Sequence, residues 1–184
     1  METSPSLLEQ LKEPSNGAAW NRFVGLYSPL LINWARRAGV PADDSADLVQ
    51  DVLLTLVQKL PEFRYDSNQS FRGWLRTVTL NRWRDLCRRR RLLQVELDPL
   101  DVADPGGSLR FWGAEYEQQL VAQALRLMQA RFQEPTWRAF WGVTVEGRPA
   151  AEVAQELGVS PGAIYISKCR VLKHLRTELA GLLD

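Results

Sequence analysis

Sulfur and histidine are scarce in this sequence. Two cysteines, Cys87 and Cys169, and one histidine, His174, are spread along 184 residues. There is no Cys-x-x-Cys pair and no Cys/His cluster. That argues against a zinc-stapled or disulfide-framed domain, and reduced thiols in a cytoplasm are expected. No apolar run approaches a membrane span, and "METSPSLLEQLKEPSNG" has no basic start followed by an apolar stretch, so neither a membrane anchor nor an export signal is expected. An enzyme acting on nucleic acid would need acidic metal ligands in a basic cleft. The only acidic cluster is Asp43, Asp44, Asp47 and Asp51, all on one helix in a negative region. No catalytic residue, no metal and no cofactor are therefore expected. His174 sits in a basic helix end, which suits a structural or phosphate-contacting role.

What the chain does have is charge sorted by segment. The net charge is +1. Residues 1–60 carry −2, residues 61–92 carry +6, residues 93–120 carry −5 and residues 121–184 carry +2. A basic block followed directly by an acidic one implies separate partners for separate segments.

Hydrophobic periodicity reads as helix throughout. Trp20, Phe23, Val24, Tyr27, Leu30, Leu31 and Trp34 recur at helical spacing, with Pro29 expected to kink or divide the helix and Gly39 to end it. The next helix has aspartates suited to its N-cap and a core stripe of Val49, Val52, Leu53, Leu56 and Leu60. Ser70 can cap a third helix. Residues 93–113, with two prolines, a Gly-Gly pair and four acids, read as a linker. The expected fold class is all-α, two small helical domains (1–92 and 114–184) joined by a flexible acidic linker (93–113).

Near the C-terminus, "AAEVAQELGVSPGAIYISKCRVLKHLR" has helix-turn-helix spacing. Ala154 is small where two helices cross, Gly158 can take a positive φ, Val159 reads as an apolar plug, and Ser160 and Pro161 can start the second helix. Ile164, Val171 and Leu175 point inward. Tyr165, Ser167, Lys168, Arg170 and Lys173 are left outside, able to reach bases or phosphates in a major groove.

The stretch from Ser70 to Arg91 combines eight arginines, one acid and recurring aromatic rings. On a helix, Phe71, Trp74, Leu75, Val78 and Leu86 form one side, and Arg72, Arg76, Thr79, Trp83 and Arg90 a neighbouring strip. Two readings of that strip stand. Arginines track phosphates and Trp83 stacks on unpaired bases, or Trp83 packs in a satellite core beside a solvated basic face.

"ADLVQDVLLTLVQKLPEF", then "SFRGWLRTVTLNRWRDLCRRRR", then the helix-turn-helix, together resemble the extracytoplasmic-function group of sigma-70 family RNA polymerase sigma factors. The resemblance covers about residues 16–92 and 114–182. It implies a non-enzymatic specificity subunit that binds core RNA polymerase and directs promoter recognition, DNA melting and transcription initiation. It implies that Asp47, Gln50, Asp51 and Leu54 dock on the polymerase β′ clamp coiled coil, with the β subunit a further contact. It assigns the −10 element to Phe63, Arg64, Asn68, Arg72, Arg76, Asn81, Trp83, Arg84 and Arg88. It assigns the −35 element to Ser160, Gly162, Ala163, Tyr165, Ser167, Lys168, Arg170 and Lys173. Promoter DNA is the second partner, an anti-sigma protein is a third that the resemblance admits, and no membrane partner is implied. The competing reading is a stand-alone helix-turn-helix regulator that uses its N-terminal half to sense or dimerise.

Overall fold

Local chemistry sets where the helices begin and end. The computed structural model describes residues 6–64, 70–92 and 111–183. Among the described residues there are eight α-helices and no strand: α1 (Leu7–Gln10), α2 (Gly17–Arg37), α3 (Ala42–Lys59), α4 (Phe71–Leu92), α5 (Tyr116–Gln129), α6 (Glu134–Thr144), α7 (Ala150–Leu157) and α8 (Pro161–Leu179). The chain is all-α, as its periodicity implies. Side-chain oxygens cap four helices by accepting otherwise orphaned backbone N–H groups. Ser6 and Glu9 form a reciprocal box on α1, and Asn16 accepts from Ala19 N at 3.1 Å on α2. Ser70 accepts from Gly73 N at 3.0 Å on α4, and Ser160 from Ala163 N at 3.2 Å on α8. Gly39, at φ 82°, ends α2, and the following Val40 N–H returns to the Ala35 carbonyl at 2.9 Å.

Pro29 does not divide its helix, and the expected N-cap of α3 needs correction. The helix α2 is one uninterrupted run of 21 residues through Pro29. Pro29 has no N–H to give the carbonyl four residues back, at Gly25, but the side-chain amide of Gln123 on α5 donates to that carbonyl at 3.1 Å. A neighbouring helix thus satisfies the acceptor that the proline leaves open. The N-cap of α3 is Pro41, without a side-chain hydrogen bond. Asp43 and Asp44 lie inside the first turn, where their charge meets the positive end of the helix dipole.

The largest core gathers around α2. Its Trp20, Phe23, Tyr27, Leu31 and Trp34 are buried against Val49, Val52 and Leu56 of α3 and Phe71, Leu75 and Val78 of α4. The same core takes in Trp112, then Tyr116, Leu120 and Ala124 of α5, then Leu179 and Leu182 at the C-terminal end. Two smaller clusters hold the remaining helices. Met128, Trp137, Phe140 and Val171 join α5, α6 and α8, and Ala139, Val153, Ala154 and Ile164 join α6, α7 and α8.

Trp83 belongs to the large core and is 7% exposed. Of the two readings of the arginine strip, the second is the one that fits this ring: Trp83 packs inside and offers no stacking face. The buried arc of α4 is wider than its apolar stripe, because Thr79 is buried as well. It incurs no polar penalty there, since its hydroxyl donates to the Leu75 carbonyl at 2.8 Å. Replacing Trp83 with Ala should therefore lower the free energy of unfolding by about 3–5 kcal/mol, measured by urea titration followed by helical circular dichroism. A loss below about 0.5 kcal/mol would place the ring on the surface instead.

Candidate nucleic-acid interface

Three surfaces carry the residues singled out in the sequence. The first is the outer face of α3. Asp47, Gln50 and Asp51 are exposed, and Leu54 is 61% exposed, opposite the buried Val49, Val52 and Leu56. The structure brings the four together as one row. It adds Val57, which sequence reading missed. Val57 stands three residues beyond Leu54, so it extends the row with a second apolar side chain outside the core.

The second surface is the solvent side of α4. Asn81, Arg84 and Arg88 are exposed at helical spacing, one above another. Arg64, at the end of the preceding segment, is exposed as well. A groove of about 180 Å³ between α3 and α4 sets Asn81 beside Lys59, Thr55, Arg82 and Asp85. Arg82 turns inward, where its Nε donates to the Thr55 hydroxyl at 2.9 Å and its Nη1 lies 3.7 Å from Asp85. Asp85 is also 3.9 Å from Arg88, so one carboxylate steadies two guanidiniums without neutralising the face.

The remaining residues assigned to this surface divide. Arg72 is half-buried, with Nη1 donating to Glu117 at 2.9 Å and its guanidinium 5.6 Å from the centre of the Tyr116 ring. Arg76 is half-buried, and its Nε has no hydrogen-bond partner. Asn68 lies outside the described residues. Phe63 and Trp83 are corrections to the expected interface, because both are buried in the core. Phe63 contacts Phe71 and Trp74, with ring centres 6.0 and 4.8 Å away. Among the described residues of this surface, the partly accessible ring is Trp74. Its position in the apolar stripe assigned it to the core. The signal that separates it is its place at the edge of that stripe, two helical turns before the exposed Asn81.

The third surface is the helix-turn-helix of α7 and α8. Gly158 takes φ 66°, which an L side chain rarely adopts, and ends α7 with its N–H on the Ala154 and Gln155 carbonyls. Ala154 and Ile164 are buried at the crossing. Val159 is a correction, since it is 41% exposed and does not plug the turn; Ala139 and Val153 fill that space with Ala154 and Ile164. On α8, Gly162, Tyr165, Arg170 and Lys173 are exposed together with the capping Ser160, while Ala163, Ser167 and Lys168 are half-buried. Ile166, 62% exposed beside Tyr165, gives the face an apolar element suited to thymine methyl groups. His174 is exposed and packs edge-on to Phe132, 5.4 Å between centres.

Ion pairs brace this unit from behind. Glu156 on α7 accepts from Arg148 at 2.7 Å and pairs with Arg138 of α6. The Arg148 hydrogen bond and charge, followed by the Arg138 hydrogen bond, hold the Glu156 carboxyl below the usual carboxylate range. The same Glu156 contact raises Arg148. Among the described residues there is no group of three or more His, Cys, Asp or Glu that could hold a metal ion.

Comparison with known proteins finds similarity to sigma factors. Residues 23–92, which run from α2 to the end of α4, match the model for sigma-70 region 2. The chain is 29% identical over 187 residues to RNA polymerase sigma factor NccH of Alcaligenes xylosoxydans xylosoxydans, covering 99% of this chain and 97% of the relative. It is 28% identical to RNA polymerase sigma factor CnrH of Cupriavidus metallidurans, covering 100% and 96%. It is also 29% identical to ECF RNA polymerase sigma factor SigF of Caulobacter vibrioides, covering 78% and 75%. A solved structure, that of CnrH in complex with the cytosolic domain of CnrY, aligns over 92% of each chain at 25% identity, with a TM-score of 0.39.

The turn geometry yields a test of its own. No atom lies within 4 Å of a Cβ built on Gly158, so Gly158→Ala introduces backbone strain and nothing else. The expected loss is about 1–2 kcal/mol of stability in the α6–α8 unit, read by amide hydrogen exchange. Gly158→Asn should lose less, because asparagine tolerates the left-handed region.

Proposed function

We infer that this chain is a promoter-specificity subunit of the extracytoplasmic-function group of the sigma-70 family. It binds core RNA polymerase and directs the initiation of transcription at promoters. The observation that carries this reading is collinearity. The region 2 match, which ends on the exposed basic face of α4, is followed in the same chain by the helix-turn-helix, and the similarity to NccH runs over 99% of this chain. A stand-alone regulator would have no use for the acidic, apolar-ended row on α3. Nucleotide transfer itself is left to the polymerase.

The proposed division of labour has three parts. The row Asp47, Gln50, Asp51, Leu54 and Val57 docks on a basic, partly apolar surface of the polymerase, for which the β′ clamp coiled coil is the candidate. Residues 1–92 handle the −10 element, with Asn81, Arg84 and Arg88 facing the DNA. Residues 114–184 carry α8 to the major groove of the −35 element, with residues 93–113 linking the two and the β subunit as a further contact. The family resemblance alone proposes an anti-sigma protein as a third partner. No helix among the described residues is long and apolar enough to cross a membrane, and a cytoplasmic site of action is part of the same proposal.

The direct test is run-off transcription by core polymerase with and without the chain, followed by mapping of start sites. Start sites that appear only with the chain support the reading, and identical products in both reactions refute it. The docking part predicts that Asp47→Arg with Asp51→Arg abolishes capture of core polymerase, because like charges would then face each other. Helicity and melting temperature should stay unchanged, since both side chains are exposed.

The melting part predicts a role for Trp74. A base leaving the duplex gains roughly 1–3 kcal/mol by stacking on an aromatic ring. Trp74→Ala should leave closed-complex formation intact and slow opening, seen as reduced permanganate reactivity of thymines in the −10 element. A template already mismatched there should restore transcription. Normal opening by a folded Trp74→Ala protein would remove the ring from the mechanism.

A further inference from the structure

The solvent face of α8 changes character along its length. Gly162, Tyr165, Ile166 and Cys169 are exposed in its first half, and none of them is charged. The exposed cations Arg170, Lys173 and Arg176 follow in its second half, and Lys168, the one cation before them on the helix, is half-buried. Tyr165 is 57% exposed, and with Ile166 and Val159 it leaves three large apolar side chains in water within residues 159–166. Resting on the reading of α8 as the −35 helix, we propose that an apolar contact sets its specificity. Ile166, beside Tyr165, reads the 5-methyl group of a thymine in the major groove and so selects thymine at that position.

A helix docked in the major groove brings its N-terminal part to the base edges. Reading guanine there takes arginine or lysine, reading adenine takes asparagine or glutamine, and reading cytosine takes an acid. The exposed side chains of residues 162–169 include none of these. What they offer is hydrocarbon, and the base-edge group that hydrocarbon recognises is the thymine methyl. The fold does not use Ile166, since Ile164, Val171 and Leu179 make the buried contacts of α8. Gly162 points the same way. It is not at positive φ, and a Cβ there would meet nothing nearer than Ser160 Oγ at 3.8 Å. Folding alone would favour alanine, the better helix former, whereas a bare backbone lets α8 sit closer to the groove floor. The later cations suit the bordering phosphates, which hold the helix without reading sequence.

Deoxyuridine tests the contact, because it is the thymine nucleotide without its methyl and keeps every hydrogen bond. The template is a promoter whose start site has been mapped by run-off transcription with the full chain and core polymerase. Each thymine of its −35 element is replaced singly by deoxyuridine, and the initiation rate is measured at limiting holoenzyme. Replacement of the thymine that Ile166 meets should slow wild type about fourfold, the worth of one buried methyl group. Ile166→Ser should show that lower rate on the thymine template and lose nothing more with deoxyuridine. Its helicity should match wild type, since the side chain is exposed. Arg170→Ala should instead slow both templates alike and flatten the salt dependence.

Equal wild-type rates with thymine and deoxyuridine at every position overturn the proposal, whether or not any variant folds. A −35 element without thymine on either strand overturns it too, since α8 would then have no methyl group to meet. Deoxyuridine sensitivity that survives in Ile166→Ser gives the methyl to another side chain and overturns the role of Ile166. A loss in Ile166→Ser that is equally large on a scrambled −35 element puts the apolar face against protein, and that also overturns it. In each of these outcomes the chain still directs initiation. Absence of any chain-dependent start site refutes the wider function instead, and the proposal with it.

Discussion

Tyr27 has no exposed surface and it carries a hydroxyl, and much of the packing stems from those two facts. A buried hydroxyl without a partner costs on the order of 1–3 kcal/mol, so some other element must supply one. Tyr116 does, 2.9 Å away, and its own hydroxyl donates to the Leu182 carbonyl at 3.0 Å. Each hydroxyl has a single proton, so the order is forced: Tyr27 donates to Tyr116, and Tyr116 donates to the C-terminal backbone. Three distant parts of the chain thereby meet at one point. Around it the rings settle. Phe23 stacks on Tyr27 at 4.3 Å, and Phe71 stands edge-on at 5.9 Å, which fixes the start of α4 against the middle of α2.

With its start fixed, α4 can face only one way. Its inner arc takes Phe71, Leu75, Val78, Thr79 and Trp83, and that leaves Asn81, Arg84 and Arg88 outside. The arginines of this segment are thus not one class. Arg82 bridges to Thr55 and Asp85, Arg72 is covered by α5, and Arg84 and Arg88 meet water. A phosphate approaching α4 would find the exposed pair first. The packing that orients them is the same packing that removes Trp83 from any contact with bases.

Period and capping chemistry were legible in the sequence because they are local. Ser70, Ser160, Gly39 and Gly158 act within a few residues of themselves, and each does what its side chain or φ allows. The exposed row on α3 was legible for the same reason, since it is the complement of a regular apolar stripe. Trp83, Phe63 and Pro29 were not, because their state depends on another element. Trp83 and Phe63 are buried by what packs against them. Pro29 is tolerated because Gln123, far along the chain, supplies a donor. The covering of Arg72 by Glu117 joins residues on either side of an acidic segment, and no periodicity in either helix reports on it.

Charge and apolar burial contribute unequally to the contact of α5 with α2 and α4. The charged groups hold little. Arg72 with Glu117 and Arg37 with Glu115 are partly exposed pairs, worth at most about 1 kcal/mol each. The cation–π contact adds an amount of the same order. The buried surface of Trp112, Tyr116, Leu120 and Ala124 holds far more, because every apolar ångström removed from water contributes. Apolar packing therefore sets how firmly α5 rests on α2. The carboxylates add direction, since they set which side chains of α2 and α4 the start of α5 meets. Added salt would screen those ion pairs while leaving the apolar contact intact. Raising ionic strength should thus leave α5 seated on its neighbours, because the pairs that salt weakens hold the smaller share of the contact.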